Sequence, residues 1–138
     1  MVTVPLSAVL IVASLLLTTQ PAAAATCTMK GIVYPASITG SGTITGTEEP
    51  DVIVGSSGRD IIKSLGGNDI ICAGGGNDDI TLGPGDDYAS GGSGNDAIRG
   101  EGGADFLYGE SGDDSLAGGD ANDVLDGGGG ADKMTGGD

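Results

Sequence analysis

From Gly46 onward the sequence repeats itself every nine residues. Set in register, "GTEEPDVIV" is followed by "GSSGRDIIK", "SLGGNDIIC", "AGGGNDDIT", "LGPGDDYAS", "GGSGNDAIR", "GEGGADFLY", "GESGDDSLA", "GGDANDVLD" and "GGGGADKMT", ten complete units over residues 46–135. The sixth place is Asp every time: Asp51, Asp60, Asp69, Asp78, Asp87, Asp96, Asp105, Asp114, Asp123 and Asp132. The eighth is always apolar: Ile53, Ile62, Ile71, Ile80, Ala89, Ile98, Leu107, Leu116, Leu125 and Met134. The fourth is Gly in eight of the ten, failing at Glu49 and Ala121. A period this short and strict means one small structural unit stacked on copies of itself. Composition alone, with 29 Gly and a net charge of −15, would also permit disorder. Chance does not fill a single phase with Asp ten times running, so the chain is read as folded.

Within a unit, the last three places, such as "AIR" at 97–99, alternate outward, inward, outward. That pattern predicts a very short strand with one buried side chain. The first six places, such as "GGSGND", predict a turn, in which Gly permits positive φ and leaves carbonyl oxygens uncovered. Each turn ends in a carboxylate. Carbonyl and carboxylate oxygens are hard ligands, and the ion that takes six to eight of them in adaptable geometry is Ca²⁺. Mg²⁺ demands stricter octahedral geometry. Zinc is disfavoured, since the chain has no His and only two Cys.

Charge and composition remove other functions. With 20 acidic and 5 basic side chains, the surface repels a phosphate backbone, which excludes nucleic acid as a partner. The Gly-rich turns are not phosphate loops, because their Asp residues would repel the ligand. "DANDVLDGGGGA" fails the EF-hand pattern. Without His, neither a Ser-His-Asp nor a Cys-His nucleophile system can be built, so no enzyme is expected here. Paired carboxylates could in principle serve a glycosidase, but their fixed nine-residue phase is accounted for by metal loops. Aligned outward Thr rows are absent from the ninth place.

The unit "GGSGNDAIR" fits the pattern G-G-x-G-x-D-x-U-x at every place, and residues 46–138 resemble the RTX, or haemolysin-type, calcium-binding nonapeptide repeats. The opening "CTMKG" and the later "VIVGSSGRDIIKSLGGNDIIC" also look like small exported bacterial proteins of that family, which often carry a similarly placed Cys pair. The resemblance implies an all-β fold, a right-handed parallel β-roll (a β-solenoid) with two units per turn and two sheets facing across the eighth-place residues. Calcium would sit between turns stacked on one edge, so that unit n pairs with unit n+2. Asp69, Asp87, Asp105 and Asp123 then share one edge with Asp51, and Asp60, Asp78, Asp96, Asp114 and Asp132 line the other. Backbone carbonyls of glycines such as Gly74, Gly76, Gly83, Gly85, Gly92 and Gly94 complete the implied ligand set. Five loops per edge leave at most four gaps, hence at most eight ions. The loop of Asp51 is the weakest, with Thr47, Glu49 and Pro50 in place of small residues, and Ala121 weakens the site of Asp123. A thin apolar core and stacked carboxylates further lead to the expectation of a chain largely unfolded without calcium and coiled with it.

The flanks follow other rules. "LSAVLIVASLLL" at 6–17, then "TTQPAAAA", predicts a secretory signal peptide over residues 1–25, cleaved after Ala24 or Ala25. The alternative, an uncleaved anchor, meets an apolar run shorter than the ~20 residues needed to span a bilayer. The expectation is a secreted, extracellular protein with no membrane association after cleavage. In an oxidising compartment the lone pair Cys27 and Cys72 is expected to form a disulfide, two free buried thiols being the alternative. Residues 26–45 lack the Asp phase but keep Ile32, Ile38 and Ile44, and are expected to cap the first turn. Cys72, in a ninth place, should point outward, so a cap carrying Cys27 would fold over that face beside Val52, Val54, Ile61 and Ile70. The final "TGGD" stops inside a turn, so the repeat region is expected to be incomplete at the C-terminus. The rival expectation is the N-terminal part of a larger secreted calcium-dependent enzyme or adhesin whose functional domain lies beyond residue 138.

Overall fold

In the computed structural model, which describes residues 25–137, the chain begins with a hairpin and continues as a coil of parallel strands. The segment read as a signal peptide, except its last residue, lies outside the described residues. Strands β1 (Thr26–Met29) and β2 (Ile32–Pro35) pair antiparallel. The chain then alternates between two six-stranded sheets. The first holds β3 (Ile38–Thr39), β5 (Val52–Val54), β7 (Ile70–Gly75), β9 (Tyr88–Ser93), β11 (Phe106–Ser111) and β13 (Val124–Asp126). The second holds β4 (Thr43–Thr45), β6 (Ile61–Lys63), β8 (Asp79–Pro84), β10 (Ala97–Gly102), β12 (Ser115–Asp120) and β14 (Lys133–Gly137). Every neighbour within either sheet is parallel, and from β5 and β6 onward each residue lies beside the one 18 positions along, as Ile98 does beside Ile80 and Leu116. Two units per turn and a parallel β-roll therefore follow directly from the strand register.

The core is a single column between the sheets, built from Ile53, Ile62, Ile71, Ile80, Ala89, Ile98, Leu107 and Leu116, all essentially buried. The last two eighth-place residues depart from the expectation of burial: Leu125 is half-buried and Met134 is 51% exposed. Their turn has no neighbour stacked on its far side among the described residues. Strands β7 to β12 run to six residues, longer than the three predicted, because the first three places of the next unit continue the ladder. Alternation then turns the first place inward as well. Ala73 and Leu82 join the apolar column there, and buried Ser64 donates its hydroxyl to the Leu82 carbonyl at 2.9 Å.

The coil starts before the Asp register does. β3 and β4 already belong to the two sheets, and Ile38 and Ile44 pack on the column, although neither turn carries a sixth-place Asp. The hairpin lies over the outer face of the first sheet, where β7 contributes Cys72 and β9 and β11 contribute Tyr88, Phe106 and Tyr108. Cys27 is buried and disulfide-bonded to Cys72, with Cα atoms 5.5 Å apart, a separation suited to the bridge. Tyr88 and Phe106, neighbours across the ladder, stack with centroids 4.4 Å apart. Lys30 at the hairpin tip puts its ammonium 4.6 Å from the Phe106 centroid, 5.7 Å from Tyr88 and 5.8 Å from Tyr108. A cation over aromatic faces is attracted by their quadrupoles. A hydrogen bond to Tyr108 raises the Lys30 ammonium above its usual range.

Candidate metal centre

The sixth-place carboxylates stand in two rows, one along each edge of the coil, because the 18-residue register stacks every second unit. Each joins two turns. Oδ1 of Asp69, Asp87, Asp105 and Asp123 accepts the backbone N–H of the sixth-place Asp one turn earlier, and Asp78, Asp96, Asp114 and Asp132 do the same on the other edge. All eight bonds span 2.7–3.0 Å. Half of each carboxylate is thus committed to holding the stack.

The other half is not. Oδ2 of Asp69, Asp78, Asp87, Asp96, Asp105, Asp114 and Asp123 is buried with no hydrogen-bond partner. A buried carboxylate oxygen without a donor is costly, and either a proton or a cation must relieve it. Burial accordingly pushes the Asp87 carboxyl up to about 7, against the lowering effect of the Asp69 N–H and with further upward push from Asp105, Asp69 and Asp86. Asp96 and Asp105 are pushed up to about 6, again mainly by burial. Asp69 and Asp78 shift in the same direction for the same first reason.

Carbonyl oxygens meet these carboxylates. A Cβ added at Gly100 would lie 2.1 Å from Asp105 Oδ2 and 2.3 Å from the Gly118 carbonyl of the next turn; at Gly109 the same point falls 2.3 Å from Asp114 Oδ2 and 2.6 Å from the Gly127 carbonyl. Carboxylate and carbonyl oxygens from successive turns therefore converge on one small region. Among the described residues no three His, Cys, Asp or Glu side chains gather at a point. A cation at these turns would depend on backbone oxygens for most of its coordination.

The turns that present those oxygens have positive φ at places two and four. Gly83 (φ 116°) and Gly85 (φ 151°) are representative, and a Cβ on either would press to within 1.8 Å of the Leu65 or 1.7 Å of the Gly67 carbonyl in the preceding turn. The other glycines predicted to supply carbonyls, Gly74, Gly76, Gly92 and Gly94, share the conformation with φ of 101–121°. Leu65, Glu101, Glu110 and Ala121 adopt it without being glycine, at φ of 75–79°. Outside the Asp rows, fifth-place side chains form a second ladder: Asp86, Asn95 and Asp113 accept from Ala104, Asp113 and Ala131 N–H groups one turn on, at 2.9–3.1 Å. The sequence signal for this ladder is the Asn or Asp that precedes so many sixth-place Asp residues.

Two of the ten sixth-place residues stand apart. Asp51 Oδ2 accepts from Thr47 N at 2.8 Å and Thr47 Oγ1 at 2.9 Å, and Asp60 Oδ2 accepts from Ser56 N at 2.7 Å and Ser56 Oγ at 3.0 Å. Neither Thr47 nor Ser56, the second-place residues, has positive φ. Asp51, whose loop has the least suitable sequence, and Asp60, which the repeat register places among the implied ligands, are both supplied with donors from their own loops.

A family model described as the RTX calcium-binding nonapeptide repeat (4 copies) matches residues 45–80, 81–116 and 108–138. The chain belongs to the RTX calcium-binding nonapeptide repeat family. Calcium is thereby the ion its repeats bind; the roll agrees with what the resemblance implied, and the disulfide with the pairing expected of a lone Cys pair. No curated protein and no solved structure matches the chain.

Proposed function

We propose that this RTX chain is an exported, non-catalytic calcium-binding module whose coil forms together with its ions. The observation that carries the reading is the set of seven buried, partnerless Asp oxygens. Asp69, Asp87, Asp105 and Asp123 stack on one edge, and Asp78, Asp96 and Asp114 on the other, which leaves three and two gaps flanked by such oxygens. Five ions therefore fit better than the maximum of eight, with Asp132 at the last turn available for one more on its edge. Asp Oδ2 and the carbonyls of the positive-φ turns, such as Gly83, Gly85, Gly92 and Gly94, would hold the ion. Bound calcium supplies positive charge and hard coordination to oxygens that have no other partner. Asp Oδ1 meanwhile keeps successive turns in register.

Export is supported by the apolar stretch at 6–17 and by the disulfide, since such bridges persist in oxidising compartments. The non-catalytic reading is supported by the absence of His from the sequence and by the structural duty of each Asp Oδ1. Far-UV circular dichroism during calcium and magnesium titrations tests the whole reading. A cooperative gain of β signal near millimolar calcium, absent with magnesium, is expected; a spectrum indifferent to calcium would overturn it.

A further inference from the structure

The Asp rows end differently at their N-terminal side from anywhere else. Asp51 Oδ1 accepts from the Ser37 hydroxyl at 3.1 Å, and Asp60 Oδ1 accepts from the Gly42 N–H. With Thr47 and Ser56 on the second oxygens, all four carboxylate oxygens of these two residues have protein donors. A cation there would have to displace hydrogen bonds already made, whereas the first partnerless oxygen along the Asp rows is Asp69 Oδ2.

Apolar material is graded in the same direction. Ile44, Ile53, Ile62, Ile71 and Ala73 pack together at the N-terminal end, with Ile38 against them. First places are Gly at 46, 55 and from 91 onward, with Ala73 and Leu82 adding a second inward side chain between them, and the eighth-place column itself thins toward the C-terminus, at Ala89, half-buried Leu125 and exposed Met134. The hairpin rests mainly on β5 and β7, buries Cys27 and Met29 and is bonded covalently to β7, while its tip reaches β9 and β11 through Lys30. Small units of this size ordinarily need such a staple to fold.

We propose that residues 26–75 form a seed that keeps its coil without calcium, that its first two loops take no ion, and that the coil lengthens from this seed toward the C-terminus as calcium is supplied. The proposal rests on the reading of Asp69 and the later sixth-place residues as calcium ligands. It confines the formation of coil together with ions to the turns beyond residue 75, and so differs from the sequence expectation of a chain largely unfolded throughout without calcium.

Hydrogen exchange read by mass spectrometry on the oxidised full chain tests it. In chelator, slow exchange is expected within 26–75 and fast exchange beyond; added calcium should extend protection through the remaining repeats. Fast exchange everywhere in chelator, followed by full-length protection with calcium, would overturn the seed while leaving calcium-coupled folding intact. Protection of the whole chain in chelator would overturn both. Reduction and alkylation of Cys27 and Cys72 should abolish the chelator-state protection, and the calcium-saturated β signal should still be reached at a several-fold higher calcium midpoint. Persistence of chelator-state protection after reduction would refute the staple's part in the seed. Bound calcium counted by equilibrium dialysis should fall in Asp96→Asn and stay unchanged in Asp60→Asn; a fall in the second would overturn the assignment of ion-free loops.

Discussion

Asp87 and Asp86 are adjacent carboxylates, and replacing each by Asn separates a ligand from a mere charge. Asp87 Oδ1 accepts the Asp69 N–H at 2.7 Å, and an Asn carbonyl would keep that bond. Its Oδ2, buried and partnerless, would become an amide nitrogen that cannot bind a cation. Asp86 Oδ1 accepts from Ala104 N at 2.9 Å, a bond Asn also keeps, and Asp86 leaves no buried oxygen without a partner. Both variants remove one negative charge. Only Asp87→Asn removes an oxygen flanked by Asp69 and Asp105, hence one shared by two gaps. An extracellular-type site with Kd of about 0.1–1 mM contributes roughly 0.4–1.4 kcal/mol at about 1 mM calcium. Losing two such sites costs about 1–3 kcal/mol, or a fall in Tm of about 5–20 °C for a domain near this size. With several sites linked to one folding step, the calcium midpoint should rise about 1.5- to 3-fold. Asp86→Asn should leave the midpoint unchanged or lower it slightly, because Asp86 is one of the charges that push on Asp87. Calcium titrations followed by circular dichroism, with thermal melts at saturating calcium, measure both. Equal shifts in the two variants would refute the reasoning, since net charge would then account for everything.

In chelator, lowering the pH from 7 toward 4 should strengthen the coil. Asp87, Asp96 and Asp105 bind protons more tightly folded, near 7, 6 and 6, than at their ordinary value of 3.8, so their penalty is full above that range and vanishes below it. With calcium present the same acidification should release ions, and a β signal moving in one direction under both conditions would contradict this. Ala121→Gly relieves a φ of 79° at a fourth place and should stabilise the calcium-saturated coil by about 0.5–1 kcal/mol in a thermal melt. Asn95→Ala removes the acceptor for Asp113 N and should cost about 0.5–1.5 kcal/mol without changing the number of ions bound.

The nine-residue phase made the two edges, the two sheets and the eighth-place column legible, because a residue's place in the unit determines its sheet and its face. Cys27 and Cys72 were legible for a different reason: a lone pair has one possible pairing. Glycine obscured the remainder. With Gly in most first places, the second inward position betrays itself only at Ser64, Ala73 and Leu82, so the six-residue strands read as three. The early start of the coil at Ile38 and Ile44 lacked the Asp that marks every later turn. The partition of the Asp rows was written in Thr47 and Ser56, but those residues matter through the direction of their N–H groups, which composition does not reveal.

The 18-residue register also limits how such a chain can change length over evolutionary time. Duplicating or deleting two adjacent units leaves every later Asp on its edge and every later strand in its sheet. Adding a single unit between Cys72 and Tyr88 would instead send Tyr88, Phe106 and Tyr108 to the opposite sheet and leave Lys30 over a different set of side chains. Beyond Tyr108 no residue touches the hairpin through those rings, and odd-numbered changes become cheaper. Variation in repeat number should therefore come in pairs near the hairpin and singly only toward the far end.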